Sequence, residues 1–107
     1  NTFEEVLALD LVEHIMDTVG LLNEVWRVTK PGGIFFFRTP SFDAEFAFID
    51  PTHVRYFHID TWDFFDPTTA FGHNNRHLTP FKWSIVSKVK TANKNLEIKL
   101  KKIGKAD

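Results

Sequence analysis

Val6, Leu7, Ala8 and Leu9 form a short apolar run that Asp10 stops, the pattern of a parallel strand buried on both faces. It predicts a strand over residues 6–10 with Asp10 at its carboxyl end, where the loops of an open α/β sheet build a ligand crevice. Asp17 or Thr18 can cap a following helix, and Leu21, Leu22, Val25 and Val28 recur on one helical face, which predicts a helix over residues 17–29. Glu24 and Arg27 are spaced to pair on its surface, and Arg27 and Lys30 lie at the negative end of its dipole. Pro31 stops the helix. Gly32 and Gly33 then turn the chain into a second strand over residues 34–38, parallel to the first.

Residues 41–60 read as an irregular segment rich in polar and aromatic side chains, the composition of a functional loop. Asp60 can cap a short helix over residues 61–65 that Asp66 and Pro67 end, and residues 68–80 read as a loose, turn-rich insert. Phe81, Trp83, Ile85 and Val89 then fall on one face of a strand over residues 81–90, with Lys82, Lys88 and Lys90 on the other. Beyond a turn, Leu96, Ile98 and Leu100 alternate with Glu97, Lys99 and Lys101 in a strand over residues 96–103. These two form an antiparallel hairpin. The whole reads as one α/β domain over residues 1–107, with no internal repeat.

ALDLVEHI, followed by LLNEVWRVTKPGGIFFFRTP, resembles the middle of a class I S-adenosylmethionine-dependent methyltransferase: its fourth strand, the next helix and its fifth strand. DPTHVRYFHIDTW is similar to a loop that follows the fifth strand in a subset of that family. The resemblance implies a partial Rossmann-like methyltransferase sheet, fourth to seventh strands, closed by the carboxyl-terminal hairpin. Thr29 departs from it, since the family more often has an apolar residue there. In the family, a glycine-rich loop after the first strand holds the amino-acid part of the cofactor, and an acidic residue ending the second strand holds the ribose. Here Gly20, Gly32, Gly33, Gly72 and Gly104 form no G-x-G-x-x-G pattern, and only a few residues precede the expected fourth strand. The expectation is therefore the carboxyl-terminal half of a methyltransferase domain, with the cofactor-gripping half outside these residues.

Composition sharpens this in three ways. Twelve phenylalanines and an aromatic fraction of 15% mean that aromatic packing dominates burial, part of it on surface that another half covers. The lack of cysteine excludes disulfides and thiolate metal sites and fits a cytoplasmic protein; there is no signal-peptide pattern and no apolar run long enough to span a bilayer. The net charge of -1 speaks against nucleic acid as a partner, although lysines crowd the segment from Lys82 onward. That basic segment fits either contact with nucleic acid or an acidic membrane surface, or lysines that keep an outer strand from pairing with other chains, and the second reading is preferred.

The resemblance places Asp10, Leu11, Val12 and Glu13 against the reactive end of S-adenosylmethionine, with side chains giving shape and backbone groups giving hydrogen bonds. His14 can serve as a general base, or Glu13 and His14 can merely precede the helix. In the long loop, His53 can take a proton near neutral pH and Arg55 can grip a carboxylate or phosphate, with Tyr56 and Asp50 completing the substrate side. The plainer alternative is an Asp50–Arg55 ion pair that shapes the loop. Asp50, His53 and His58 are metal-type residues, as are His73 and His77, but without cysteine or an HExxH pattern no metal site is expected. Trp62, Phe64 and Phe65 read as core.

Two functional readings follow. One is half of a methyltransferase acting on a small molecule, inactive as this chain alone; the other is a non-catalytic interaction or structural domain. Nothing in VLAL blunts a sheet edge, so self-association through that edge is also expected.

Overall fold

The computed structural model describes residues 1–105. Its first strand, β1 (Phe3–Leu9), starts earlier than the apolar run and ends where expected, at Asp10, whose φ of 57° turns the chain out of the sheet. Helix α1 (Thr18–Val28) follows, with the Asp17 carboxylate accepting the Gly20 N–H at 2.8 Å as its cap. Leu22 and Val25 are its buried contacts. Thr29 ends the helix fully buried, and its hydroxyl donates to the Val25 carbonyl at 2.6 Å. A polar residue is thus accommodated in an apolar setting because its own helix satisfies it.

Strand β2 (Thr29–Pro40) is longer than residues 34–38 and runs parallel to β1. Between the pairs Phe3 with Thr29 and Glu5 with Ile34, β1 advances two residues and β2 five, so the KPG segment bulges out, with Gly32 at a φ of 77°. The hairpin expected from the lysine alternation forms as β3 (Trp83–Lys90) and β4 (Asn95–Lys102). The sheet order is β1-β2-β4-β3: β4 inserts beside β2, antiparallel to it, and β3 takes the outer position.

One face of this sheet is the core. Phe35, Phe37, Leu96, Ile98, Leu100 and Trp83 are buried there beneath α1 and a 3-10 turn, Thr61–Phe65. Trp62 on that turn meets the Phe37 ring edge-on at 4.6 Å and the Phe57 ring at 4.8 Å, and Trp62, Trp83, Phe35 and Phe37 are the largest fully buried side chains. Phe65 is buried with Trp62, and Phe64 stacks on Phe71 at 4.9 Å.

Several expectations need correction. β1 is not buried on both faces: Ala8 packs inward, but Leu7 is 65% and Leu9 49% exposed, because the second face carries no covering element among the described residues. In β3 the alternation breaks at a bulge between Ile85 and Ser87, which turns Val89 outward and places Lys88 opposite Ile98 on the core side. There Lys88 Nζ donates to Asp60 and Asp63, each at 2.7 Å. Asp60 therefore binds a lysine rather than capping the turn with its side chain. Residues 41–60 hold a short helix, α2 (Glu45–Ile49), and residues 68–80 hold another, α3 (Ala70–Asn74). Helix α3 tolerates Gly72 because a Cβ there would lie 1.8 Å from the Asp66 carbonyl oxygen; only glycine lets the backbones approach.

The lysines are consumed internally more than an edge guard requires. Lys82 and Lys102 are buried, donating to the Arg76 and Thr29 carbonyls at 2.8 and 2.7 Å. Lys90 pairs with Asp43 at 2.6 Å. Lys99 and Lys101 are exposed, but on β4, an inner strand. Among the described residues no helix is long and apolar enough to cross a membrane.

Candidate functional site

The carboxyl ends of β1 and β2 lie side by side. The Asp10 N–H donates to the Arg38 carbonyl at 2.9 Å, and an Arg38 guanidinium N–H donates to Asp10 Oδ2 at 2.9 Å. That hydrogen bond and the carboxylate charge raise the Arg38 pKa further. From Asp10 the chain enters a 3-10 turn, Val12–His14, which the long loop after β2 comes back to meet. Ser41 bridges to Phe57 at the loop's base. At its return, the N–H groups of Val54 and Arg55 both donate to the Glu13 carbonyl, at 2.9 and 3.1 Å. Arg55 Nε donates to the Met16 carbonyl at 2.6 Å. The loop is tied down over the end of β1.

Beneath that tie lies a polar cluster. Glu13 is 1% exposed; its Oε1 accepts from the buried Thr39 hydroxyl at 2.9 Å, while Oε2 has no hydrogen-bond partner. His53 Nε2 stands 3.7 Å and His14 Nε2 3.9 Å from Oε2, and the two rings meet edge to face at 4.8 Å between centroids. Asp50 Oδ2 is 3.4 Å from His53 Nε2. The Asp50 pKa is lowered chiefly by the Thr52 hydroxyl, then by the Thr52 N–H and the charges of the two histidines, against the opposing effect of burial.

The residues singled out in the sequence separate into two groups. Asp10 and Leu11 are exposed at the strand end, where a ligand can reach them; Val12 and Glu13 point into the protein. His14 is half-buried, whereas His53 is buried with Nδ1 against the Ala47 carbonyl at 2.9 Å. Tyr56 stacks on Phe48 with centroids 4.4 Å apart. Arg55 and Tyr56 line an open pocket of ≈ 290 Å³ with Asp17, Thr18, Phe64 and Leu78. Among the described residues the Asp50–Arg55 ion pair does not form: Asp50 accepts from Thr52 and faces His53, and Arg55 bonds the Met16 carbonyl.

His58 lies away from the cluster, taking the Asp60 N–H on Nδ1 at 3.0 Å and stacking on Phe42. His77 falls past the end of α3, so it shares no helical face with His73. Thr39 and Thr52 were missed. Thr39 had a signal, since alternation from Phe35 and Phe37 puts its side chain on the core face of β2. Thr52 had none.

Comparison with known proteins points in one direction. Residues 1–37 match the methyltransferase domain family. A sterol 24-C-methyltransferase from Aspergillus fumigatus is 34% identical over 59 residues, which cover 51% of this chain and 15% of that enzyme. No solved structure matches the chain. The opening third is thus similar to methyltransferase-domain sequence, in line with the resemblance to class I S-adenosylmethionine-dependent methyltransferases. The chain spans a small part, 15%, of the relative it matches.

Proposed function

We propose that this chain is the carboxyl-terminal part of an S-adenosylmethionine-dependent methyltransferase that acts on a small molecule in the cytoplasm. The observation that carries the proposal is the tie between the loop backbone and Glu13, three residues beyond Asp10, which holds the loop side chains beside the open ends of β1 and β2. Asp10 and Leu11 fit a donor site, being exposed at the strand ends; Val12 and Glu13 contribute shape from beneath. The donor would supply a methyl group on a sulfonium, ready for in-line displacement.

The chain's own residues would then align the acceptor and exclude water. Arg55 and Tyr56, on the wall of the open pocket, would hold an acceptor that carries a carboxylate or phosphate, with Asp50 fixing the loop beside them. His14, half-exposed, is the better placed of the two histidines to accept a proton; His53, buried against the Ala47 carbonyl, would position it. These 107 residues contain no glycine-rich loop, so as a separate molecule they would lack most donor contacts and transfer no methyl group at a useful rate. The same lack supports a second reading, a non-catalytic methyltransferase-like interaction domain.

Calorimetric titration of the purified chain with S-adenosylmethionine tests this. The expected result is no binding in the low micromolar range, and binding that tight would mean the chain holds the donor by itself. In a longer enzyme carrying the segment, Arg55→Ala should lower turnover while leaving the melting temperature nearly unchanged. Equal losses of both would assign Arg55 to the loop's structure alone.

A further inference from the structure

We infer that Glu13, His14 and His53 form a binding site for one divalent transition-metal ion of the zinc type. The ligand-type atoms of these three residues lie within 4.8 Å of one another. Glu13 Oε2 sits 3.7 and 3.9 Å from the two Nε2 atoms, too far for direct hydrogen bonds yet close enough to share one central partner. Zinc bonds of about 2.0–2.2 Å in a tetrahedral site set donor atoms roughly 3.3–3.6 Å apart, so the two carboxylate–imidazole distances need to close by only a few tenths of an ångström and the widest pair, within 4.8 Å, by about one ångström at most.

The hydrogen bonds fix the proton positions that a metal needs. His53 Nδ1 faces the Ala47 carbonyl at 2.9 Å, and a carbonyl only accepts, so Nδ1 carries the hydrogen and, in the neutral ring, Nε2 keeps its lone pair. His14 Nδ1 faces the Thr52 carbonyl at 3.1 Å and the Thr52 hydroxyl at 3.0 Å. That hydroxyl spends its hydrogen on Asp50 Oδ1 at 2.6 Å, so toward His14 it too accepts. Both imidazoles therefore turn free Nε2 atoms toward the same point, held from behind in the manner of metal-binding histidines.

Glu13 provides the independent sign. A buried carboxylate oxygen without a partner is costly, and here one is aimed between two imidazole nitrogens while its twin is held by Thr39. Asp50 Oδ2, 3.4 Å from His53 Nε2, or a water takes the fourth position. Two imidazoles with one or two carboxylates suit zinc and its neighbours rather than magnesium or calcium, which prefer all-oxygen shells. The half-exposed His14 leaves a path for the ion. This inference does not depend on methyl transfer, and it restricts it: a metal on Nε2 takes the lone pair that His14 would use as a base.

The test uses the purified 107-residue chain without a histidine tag, stripped with a chelator. Zinc is titrated by calorimetry and cobalt(II) by visible absorption. The expected result is one equivalent of zinc, cobalt bands of a four-coordinate site, no response to magnesium, and affinity at least tenfold weaker in His14→Ala. Glu13→Gln should abolish the cobalt bands, with circular dichroism confirming its fold; if it does not fold, His14→Ala decides. No saturable zinc binding, or affinity unchanged in His14→Ala, would overturn the proposal and leave a bridging water in the cluster.

Discussion

The two faces of the sheet use the same strands for opposite ends. On the covered face, the row Val6, Phe35, Leu100 and Ile85 and the row Ala8, Phe37, Ile98 and Lys88 run across β1, β2, β4 and β3 beneath α1. On the other face, Glu5, Ile34, Lys101 and Ser84 form one row, and Leu7, Phe36, Lys99 and Ser87 the next. This second face is apolar beside β1 and charged beside β4. The difference shows that apolar character decides burial only where something is present to cover it. Phe37 is fully buried and Leu7, one strand away, is not.

Core truncation should break the contrast most visibly. Phe37→Ala should cost about 3–5 kcal/mol in urea unfolding, a large share of the stability of an ordinary domain, whereas Leu7→Ala, compared at a concentration low enough to keep the chain monomeric, should change stability by less than about 0.5 kcal/mol. Similar costs at both positions would mean that the second face is covered in solution.

That outcome has a natural source. We propose that chains self-associate through β1 and the apolar half of the second face, since β1 is an end strand with neither lysine nor proline in it. Light scattering should show a dimer or larger species, and Leu7→Lys should shift it to monomer. A wild-type chain that stays monomeric over a wide concentration range would refute the proposal.

Smaller effects test the charged contacts that anchor β3. Lys88→Met should cost about 1 kcal/mol at neutral pH, modest because water screens the half-exposed pair. Burial pulls the Lys88 pKa down, but its hydrogen bonds to Asp60 and Asp63 outweigh it and leave it raised; the Asp60 pKa is lowered, first by the hydrogen bond that Lys88 donates to it. The lysine's contribution is thus complete below the unfolded lysine value and lost as pH rises through the raised one. The aspartate's contribution is complete above the unfolded carboxylate value and lost as pH falls through the lowered one. The difference between wild type and Lys88→Met should be flat from about pH 5 to about pH 9 and shrink on both sides. The least change should come at Asp43, whose pKa is lowered to about 2 by hydrogen bonds from Lys90 and then Ser41. Lys90→Met should let it climb toward 3.8 in a carboxyl NMR titration.

What could be read in advance was what depends on neighbours in sequence. The α1 cap and the alternation of β4 are local, and each formed within a residue or two of expectation, whereas the glycines expected to turn the chain into the second strand lie in a bulge inside it. The faces of β3 were misread because the bulge near Val86 answers to Asp60 and Asp63, more than twenty residues away. Helix α3 was invisible because its glycine reads as a breaker until the Asp66 carbonyl is seen against it. At the site, Asp10, His14 and His53 were identifiable by residue type. Their division was not: it takes Thr39 and the returning loop to draw Glu13 and His53 inside and leave Asp10 at the surface.

The position of β4 also imposes an order in time. It is the last of the four strands to leave the ribosome, yet it sits between β2 and β3. Until it arrives, β2 has β1 on one side and nothing on the other, and the pair Ile34 with Lys101 must close a long stretch of chain. During synthesis Phe35 and Phe37 therefore stay beside an unpaired backbone until residues 95–102 emerge. This sheet should close late and slowly, and chaperone capture should fall on the interval before Leu96, Ile98 and Leu100 emerge.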